Sequence, residues 1–212
     1  MSSIKKAYFN APDGQLHYRF LLTTQSPKKA PCVFLHIFGS SYDPETQPPN
    51  TAYYVDVFMQ LFNSLNLTKF HLLGHHSGAS LATELAALYP TTVLTLCLVG
   101  TAIMTRSEQI ALNTLINIPL NEPIASGAHL QKTWDYLASH GDMWGFFGRV
   151  RCETMAMCAR DDVLWPYVEN VREIKPEARV EEVKGGDFET GRPDSVVEVA
   201  ELHFDFLGNC GF

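Results

Sequence analysis

The residues with the clearest chemical potential lie where a predicted strand turns directly into a predicted helix. Gly74, His76 and Gly78 form a Gly-x-His-x-Gly pattern after the apolar run Phe70–Leu73, and the helical pattern that follows stops before Pro90. Such a turn forces its middle residue into a strained conformation with positive φ, and the two glycines let the chain segments pass closely. We therefore expect the His76 side chain to stand exposed at the top of a sheet, at the positive end of a helix, as a base or a nucleophile.

Most of the predicted strands are short, continuous apolar runs, which are typical of strands buried on both faces of a parallel sheet. Gln15–Leu22 differs, because it alternates apolar and polar residues and predicts a half-buried strand. The continuous runs are Pro31–Ile37, Phe70–Leu73, Val93–Val99 and Thr154–Cys158. We also predict a strand at Val180–Val183, which carries two glutamates between its valines.

Helical patterns lie between these runs. Apolar residues recur at helical spacing in Ala52–Leu65, Ser77–Tyr89 and Asp194–Leu207. The alternation predicts an α/β layer fold. The region 102–147 holds helical pieces such as His129–His140 and no clear strand, and we expect it to be an insertion that covers the carboxyl ends of the strands, where ligands bind.

Three stretches of the chain resemble the α/β-hydrolase superfamily. They are the turn and helix at 70–90, the strand and loop Met155–Pro166, and a last strand with a Gly-Gly-Asp loop and a closing helix at 183–207. The resemblance implies a three-layer fold with a mostly parallel sheet and helices on both faces. It also implies a site built, in chain order, from the turn, an acid loop and a last loop.

Two of the three implied site positions depart from the family's pattern. His76 stands where the family has Ser, Cys or Asp, and Asp187 stands where it has His. The resemblance assigns the acid position to Asp162, whose spacing to Pro166 fits the family better than that of Asp161. It implies that His76 meets Asp187 directly, and a carboxylate beside an imidazole fixes its tautomer and raises its pKa.

A further departure lies upstream, where residues 35–40 read Leu-His-Ile-Phe-Gly-Ser. The family has a glycine at the position of Ile37, in a loop that supplies an N–H to an oxyanion, and a β-branched residue resists a left-handed backbone. From Phe38 onward the chain is similar to the loop that follows the family's next strand. We therefore expect an abbreviated member, shortened by one helix and one strand, with a reduced helical lid at 102–147.

These residues predict an enzyme that acts on a small or medium apolar carbonyl compound. His76 would be the base or nucleophile, with Asp187 and Asp162 as carboxylates, and the N–H groups of Ser77 and Ile37 would stabilise an oxyanion. Hydrolysis of an ester or lactone is what the family implies, and a cofactor-free proton transfer, elimination or C–C bond step is equally sensible without a serine. The alternative is a degenerate or truncated member that binds a ligand or has no activity.

Other interpretations of the same residues remain open. The Ser77 hydroxyl is the alternative nucleophile, and Asp161 is the alternative acid. His71, His75 and His76 could be read as a metal cluster, but zinc needs three or four converging ligands, and His71 lies on the strand side of the turn. We therefore expect no metal and no organic cofactor.

Composition limits the classes of partner and the cellular compartments that we expect. The 212 residues are 46% hydrophobic and predict a single domain spanning 1–212, and the net charge of −7 argues against nucleic acid and anionic membranes as partners. The apolar stretch 93–104 is too short to span a bilayer. No secretory signal is visible, and five cysteines without a Cys-x-x-Cys pair are typical of reduced thiols, so we expect a cytoplasmic protein with a small-molecule substrate and leave its oligomeric state open.

Overall fold

The computed structural model describes residues 4–11, 14–21, 29–35, 51–116, 143–186 and 193–211. Its centre is a sheet of five parallel strands that neighbour one another in chain order. Because adjacent parallel strands need a crossover, each connection returns across a face of the sheet. The strands are β3 (Cys32–Leu35), β4 (Phe70–His75), β5 (Val93–Val99), β6 (Glu153–Asp161) and β7 (Arg179–Gly186).

A two-stranded antiparallel hairpin precedes this sheet and forms a sheet of its own. It consists of β1 (Ile4–Ala11) and β2 (Gly14–Leu21). The alternation in β2 confirms the half-buried strand predicted there. Phe9, Leu16 and Tyr18 pack against the main core, whereas the polar residues between them face outward.

Six helices belong to the described part of the chain. The predicted helices at 52–65, 77–89 and 194–207 are confirmed, and the predicted helix at 129–140 lies outside the described residues. The helices are α1 (Thr51–Ser64), α2 (Ser77–Leu88), α3 (Arg106–Ile116), α4 (Met143–Arg149), α5 (Trp165–Ile174) and α6 (Pro193–Asn209).

The sheet carries an apolar core on each face, because successive side chains of a strand point to opposite sides. On one face, Leu72, Leu96 and Ala156 pack with residues of α1, α2, α4 and α5. On the other face, Leu73 and its neighbours pack with α6; this second core also contains Cys97, Val99, Met155, Met157, Val183 and Phe206. Helices therefore cover both faces, and the predicted three-layer α/β fold is confirmed.

The strand β3 forms one edge of the five-stranded sheet and is only four residues long. Phe34 in this strand is 57% exposed, although Leu73, its register partner on the same face, is buried. Cys32 is exposed as well, and all five cysteines are free thiols. The side chains on the α6 face of the sheet are therefore less buried at β3 than at β4.

Candidate functional site

The strained turn expected at His76 is present. His76 has φ 50° and ψ −119° between the end of β4 and the start of α2, and Asn66 is the other described non-glycine residue with positive φ. A Cβ on Gly74 would lie 2.6 Å from both Ala79 Cα and Gly78 O, so α2 can approach β4 this closely only over a glycine. A backbone held in this region costs about 1–3 kcal/mol and persists where the surroundings enforce it.

Backbone hydrogen bonds fix the turn to its neighbours. The His76 N–H donates to Val99 O at 2.9 Å, which ties the turn to the end of β5, and His76 O accepts from the Ala79 N–H at 2.8 Å. The prediction that the His76 side chain stands exposed is wrong: only 5% of its surface is exposed, because its ring packs over Gly100. The position of the imidazole is therefore set by the sheet edge and the first turn of α2 together.

The imidazole of His76 lies over the backbone of Gly100. A Cβ on Gly100 would lie 3.1 Å from His76 Nε2 and 3.3 Å from Cδ2, and Gly100 itself has φ +58°. The His75 ring meets the His76 ring edge-on, with centroids 4.4 Å apart. The sequence analysis did not select Gly100, although a glycine directly after a buried apolar strand was a visible signal.

Ser77 is the first residue of α2 and is buried, with 6% of its surface exposed. Its Oγ atom is buried without a hydrogen-bond partner. The first N–H groups of any α-helix lack intrahelical acceptors, so the Ser77 N–H has the chemistry expected of an oxyanion donor. Ile37, the second residue predicted for this role, lies outside the described residues.

The two candidate acids have different environments. Asp162 is 3% exposed and follows β6 directly, whereas Asp161 is exposed at the end of that strand. Asp162 Oδ1 accepts the Leu164 N–H at 2.8 Å, and Oδ2 is buried without a hydrogen-bond partner. The difference in burial favours Asp162 over Asp161 as the functional carboxylate.

The predicted site residues are only partly joined. His76 and Asp162 follow β4 and β6, which flank β5 at the same edge of the sheet, but no hydrogen bond connects their side chains. Asp187 lies outside the described residues, one residue after Gly186, the register partner of Asp161. The hydrogen bond between His76 and Asp187 therefore remains a prediction.

Thr101 is a buried polar residue that the sequence analysis missed. It follows Gly100, is fully buried, and its Oγ1 atom has no hydrogen-bond partner. With Ser77 Oγ and Asp162 Oδ2, the described residues at the carboxyl edge include three such oxygens, one after each of β4, β5 and β6. Nothing in the sequence pattern around Thr101 distinguished it from a structural threonine.

The histidine cluster has no metal-site geometry in the described part of the chain. His71 is buried in β4, and its Nδ1 lies 3.0 Å from Thr95 Oγ1. Burial lowers the pKa of His71. The described residues contain no group of three His, Cys, Asp or Glu side chains that could hold a metal ion.

Comparisons with known proteins identify the fold. Neither a family model nor a curated protein sequence matches the chain. A membrane phospholipase A, a bacterial virulence factor, superposes with a TM-score of 0.73 at 14% identity over 98% of this chain and 86% of its own. For E-2-(acetamidomethylene)succinate hydrolase the TM-score is 0.71 at 15% identity over 97% and 100% of the two chains.

A third structure carries the name of the fold. MGS-M2, an α/β-hydrolase enzyme from a Medee basin deep-sea metagenome library, has a TM-score of 0.66 at 13% identity over 98% of this chain and 94% of its own. The chain therefore has the α/β-hydrolase fold, in a form shortened to 212 residues. In its described residues, no helix combines the length and apolar character needed to cross a membrane.

Proposed function

We propose that the chain is a hydrolase of the α/β-hydrolase type that acts on a small or medium apolar carbonyl compound. The observation that carries the proposal is His76, a non-glycine residue at φ 50° on the turn between β4 and α2. A strained backbone at the end of a sheet strand is typical of functional sites, because a purely structural turn would gain stability from a glycine there. The hydrolases of similar fold support the reaction class.

In the simplest mechanism His76 is a general base. Its imidazole takes a proton from water as the water oxygen attacks the carbonyl carbon, and the oxyanion that forms accepts hydrogen bonds from the N–H groups of Ser77 and Ile37. The intermediate collapses by breaking the bond to the leaving group, which receives the proton from the imidazolium. Asp187 would orient the imidazole and stabilise its charged form, with Asp162 as a further carboxylate at the same edge.

The same groups allow related chemistry without a nucleophilic serine. A base beside an oxyanion site can remove a proton next to a carbonyl, which permits elimination or C–C bond cleavage without a cofactor. Our proposal includes no metal or organic cofactor. We further propose that residues 1–212 form one domain with a reduced lid at 102–147. We propose that the protein is located in the cytoplasm.

A second candidate function is ligand binding without catalysis. The observation that favours it is the packing of the His76 ring, which is 5% exposed and lies directly over Gly100. A ring held this tightly has little freedom to meet a substrate. Such a protein would bind the compounds that an active relative would convert.

A panel of small esters, lactones and β-keto acids separates the two functions. The catalytic proposal expects at least one compound to be turned over by the wild type and not by His76→Ala. His17→Ala is the matched control, because His17 is an exposed histidine on the hairpin. Compounds that raise the melting temperature without being converted by either protein would support the binding function instead.

A further inference from the structure

We propose that Thr101 and Asp162 form a binding site for a hydroxyl group of the substrate. This inference rests on the proposed function and refines it, because it names a carbonyl compound that is apolar except for one hydroxyl. The Thr101 hydroxyl would donate to the substrate oxygen, and Asp162 Oδ2 would accept the hydrogen of the substrate hydroxyl. Neither residue forms or breaks a bond, so both act as specificity residues here.

The first support is the lack of partners at these two atoms. Thr101 Oγ1 and Asp162 Oδ2 are both buried and form no hydrogen bond. A buried polar atom without a partner costs about 1–3 kcal/mol, and folded proteins pair nearly all of them. Such atoms are consistent with a site whose hydrogen bonds are completed by a ligand.

The other buried threonines among the described residues show the usual arrangement. Thr83 Oγ1 donates to Ala79 O at 2.9 Å, and Thr154 Oγ1 donates to Cys152 O at 3.0 Å. Thr95 Oγ1 lies 3.0 Å from the ring of His71. Thr101 is thus an exception among buried threonines, and it is the one that follows a strand at the candidate site.

The second support is the placement of the two residues. The Gly100 N–H donates to Met157 O at 2.8 Å, so β5 is still bonded to β6 where Thr101 begins. The Asp162 N–H donates to Ala159 O at 3.1 Å, so the chain turns directly at the end of β6. Neighbouring strands lie about 4.8 Å apart, so both residues stand at the same end of one strand pair.

The third support is the position of this strand pair relative to the candidate base. The His76 ring lies over Gly100, the residue directly before Thr101. Ser77 follows His76 as the first residue of α2, and its Oγ atom is also buried without a hydrogen-bond partner. A substrate carbonyl near the imidazole would therefore place its neighbouring carbons at the ends of β5 and β6.

The test compares matched ester pairs that differ only in a hydroxyl or a methyl group. The probes are methyl esters with a hydroxyl at carbon 2, 3 or 4, each beside its methyl-substituted counterpart, such as methyl 3-hydroxybutyrate and methyl 3-methylbutyrate. For at least one pair the wild type should prefer the hydroxyl ester by about 10–100-fold in kcat/KM, the range of one or two hydrogen bonds to buried groups. Thr101→Val should lose most of this preference, so that the kcat/KM values for the two esters of the pair become similar. Equal rates for all pairs would overturn the inference.

Protein stability gives a readout that is independent of turnover. Thr101→Val replaces an unpartnered hydroxyl by a methyl group of the same shape, so its melting temperature should stay equal to that of the wild type or rise. Thr154→Val is the matched control, since it removes a hydroxyl that is hydrogen-bonded, and its melting temperature should fall. An equal fall for Thr101→Val would mean that a protein group or a buried water satisfies this hydroxyl, which contradicts the inference.

Binding to His76→Ala separates this inference from the proposed function. The variant should not convert the esters, yet the hydroxyl esters should raise its melting temperature more than the methyl esters do. If the wild type converts no ester but the hydroxyl esters still raise the melting temperature more than the methyl esters do, the hydroxyl site is supported and the proposed catalysis is wrong. Should turnover occur with no difference within any pair, the catalysis stands and the hydroxyl site is wrong.

Discussion

At the residue scale, the candidate site depends on two positions with unusual backbone angles that meet face to face. His76 at φ 50° presents its ring to Gly100 at φ +58°, and neither position is explained by helix or strand propensity. The sequence pattern Gly-x-His-x-Gly was sufficient to predict the positive φ of His76. The positive φ of Gly100 and its contact with the His76 ring depend on how β5 ends beside the turn, which is a tertiary contact that no local pattern encodes.

Replacing Gly100 should disturb the ring of His76. In Gly100→Ala the new methyl group would lie 3.1 Å from His76 Nε2, on a backbone that L-residues rarely adopt. We expect a loss of about 1–3 kcal/mol in the free energy of unfolding and the loss of any activity. Urea denaturation measures the first of these effects.

Gly208→Ala is the matched control for this substitution. Gly208 lies in α6, has no positive φ, and nothing lies within 4 Å of the position of an added Cβ. Alanine should leave stability unchanged or raise it by up to about 1 kcal/mol through helix propensity. A Gly100→Ala variant as stable and active as Gly208→Ala would show that the packing over Gly100 is not required.

The carboxylate partner of His76 can be tested by an isosteric change. Asp187→Asn keeps the size of the side chain and removes the charge that would orient the imidazole and raise its pKa. If the two residues work as an acid–base pair, kcat/KM should fall by about 10²–10⁴-fold. Asp161→Asn, at an exposed neighbour of the other acid, serves as the control and should retain activity. Full activity of Asp187→Asn would exclude the pair.

At the element scale, the strand assignments followed from the apolar runs wherever both ends of a strand are buried. Val93–Val99 agrees at both ends with the predicted run, whereas β6 and β7 extend beyond theirs through polar residues. Arg160 illustrates the reason, since it lies beyond the predicted end of β6 and forms an exposed ion pair with Glu182 of β7 at 2.9 Å. A pattern based on hydrophobicity ends where the burial ends and not where the backbone pairing ends.

The elements that were not predicted from the sequence are β1, α4 and α5. The strand β1 carries exposed lysines, α5 contains Pro166 and several charged residues, and α4 is only seven residues long. Tertiary contacts decide these segments: Val168 and Val171 anchor α5 in the core. The local sequence does not show these tertiary contacts. It also does not show which buried oxygen atoms lack hydrogen-bond partners.

The contact between α6 and the sheet should weaken in acid. His203 of α6 and His71 of β4 are both buried, and burial lowers the pKa of each. The charge of protonated His71 lowers the pKa of His203 further. The folded state then binds fewer protons than the unfolded state, so stability is constant above about pH 7 and falls as the pH drops below the unfolded pKa of about 6.5. The Cys97 thiol on this face stays neutral, because burial raises its pKa.

Two titrating groups predict a slope of up to about 2.7 kcal/mol per pH unit in the free energy of unfolding. Denaturant titrations between pH 5 and 8 measure this slope. His203→Gln should roughly halve it. A wild-type stability that does not change between pH 5 and 7 would contradict the account of this interface.

At the scale of the whole molecule, the fold is a shortened α/β-hydrolase fold, and the strands that the structure describes form two separate sheets. Its short edge strand exposes Phe34 and Cys32. Exposed apolar edge strands favour association between copies. These features are consistent with the loss of a helix and a strand that the sequence predicts after Ile37.

We therefore expect low thermal stability. The purified chain should unfold below about 45 °C, at the lower limit for mesophilic domains, or aggregate on heating. Phe34→Lys should reduce aggregation, because a charge on an edge strand opposes pairing between copies. Scanning calorimetry gives the result, and a sharp, reversible transition above about 65 °C would contradict the prediction.

The central claim is that His76, and not Ser77, is the reactive group of the site. The most direct test treats the wild type, His76→Ala and Ser77→Ala with a serine-directed fluorophosphonate and measures kcat/KM of each protein on the best substrate of the panel. The account predicts no labelling of the wild type, an inactive His76→Ala and a Ser77→Ala variant that keeps most of its activity, since alanine retains the backbone N–H. A probe attached to Ser77, together with an inactive Ser77→Ala and an active His76→Ala, would contradict it.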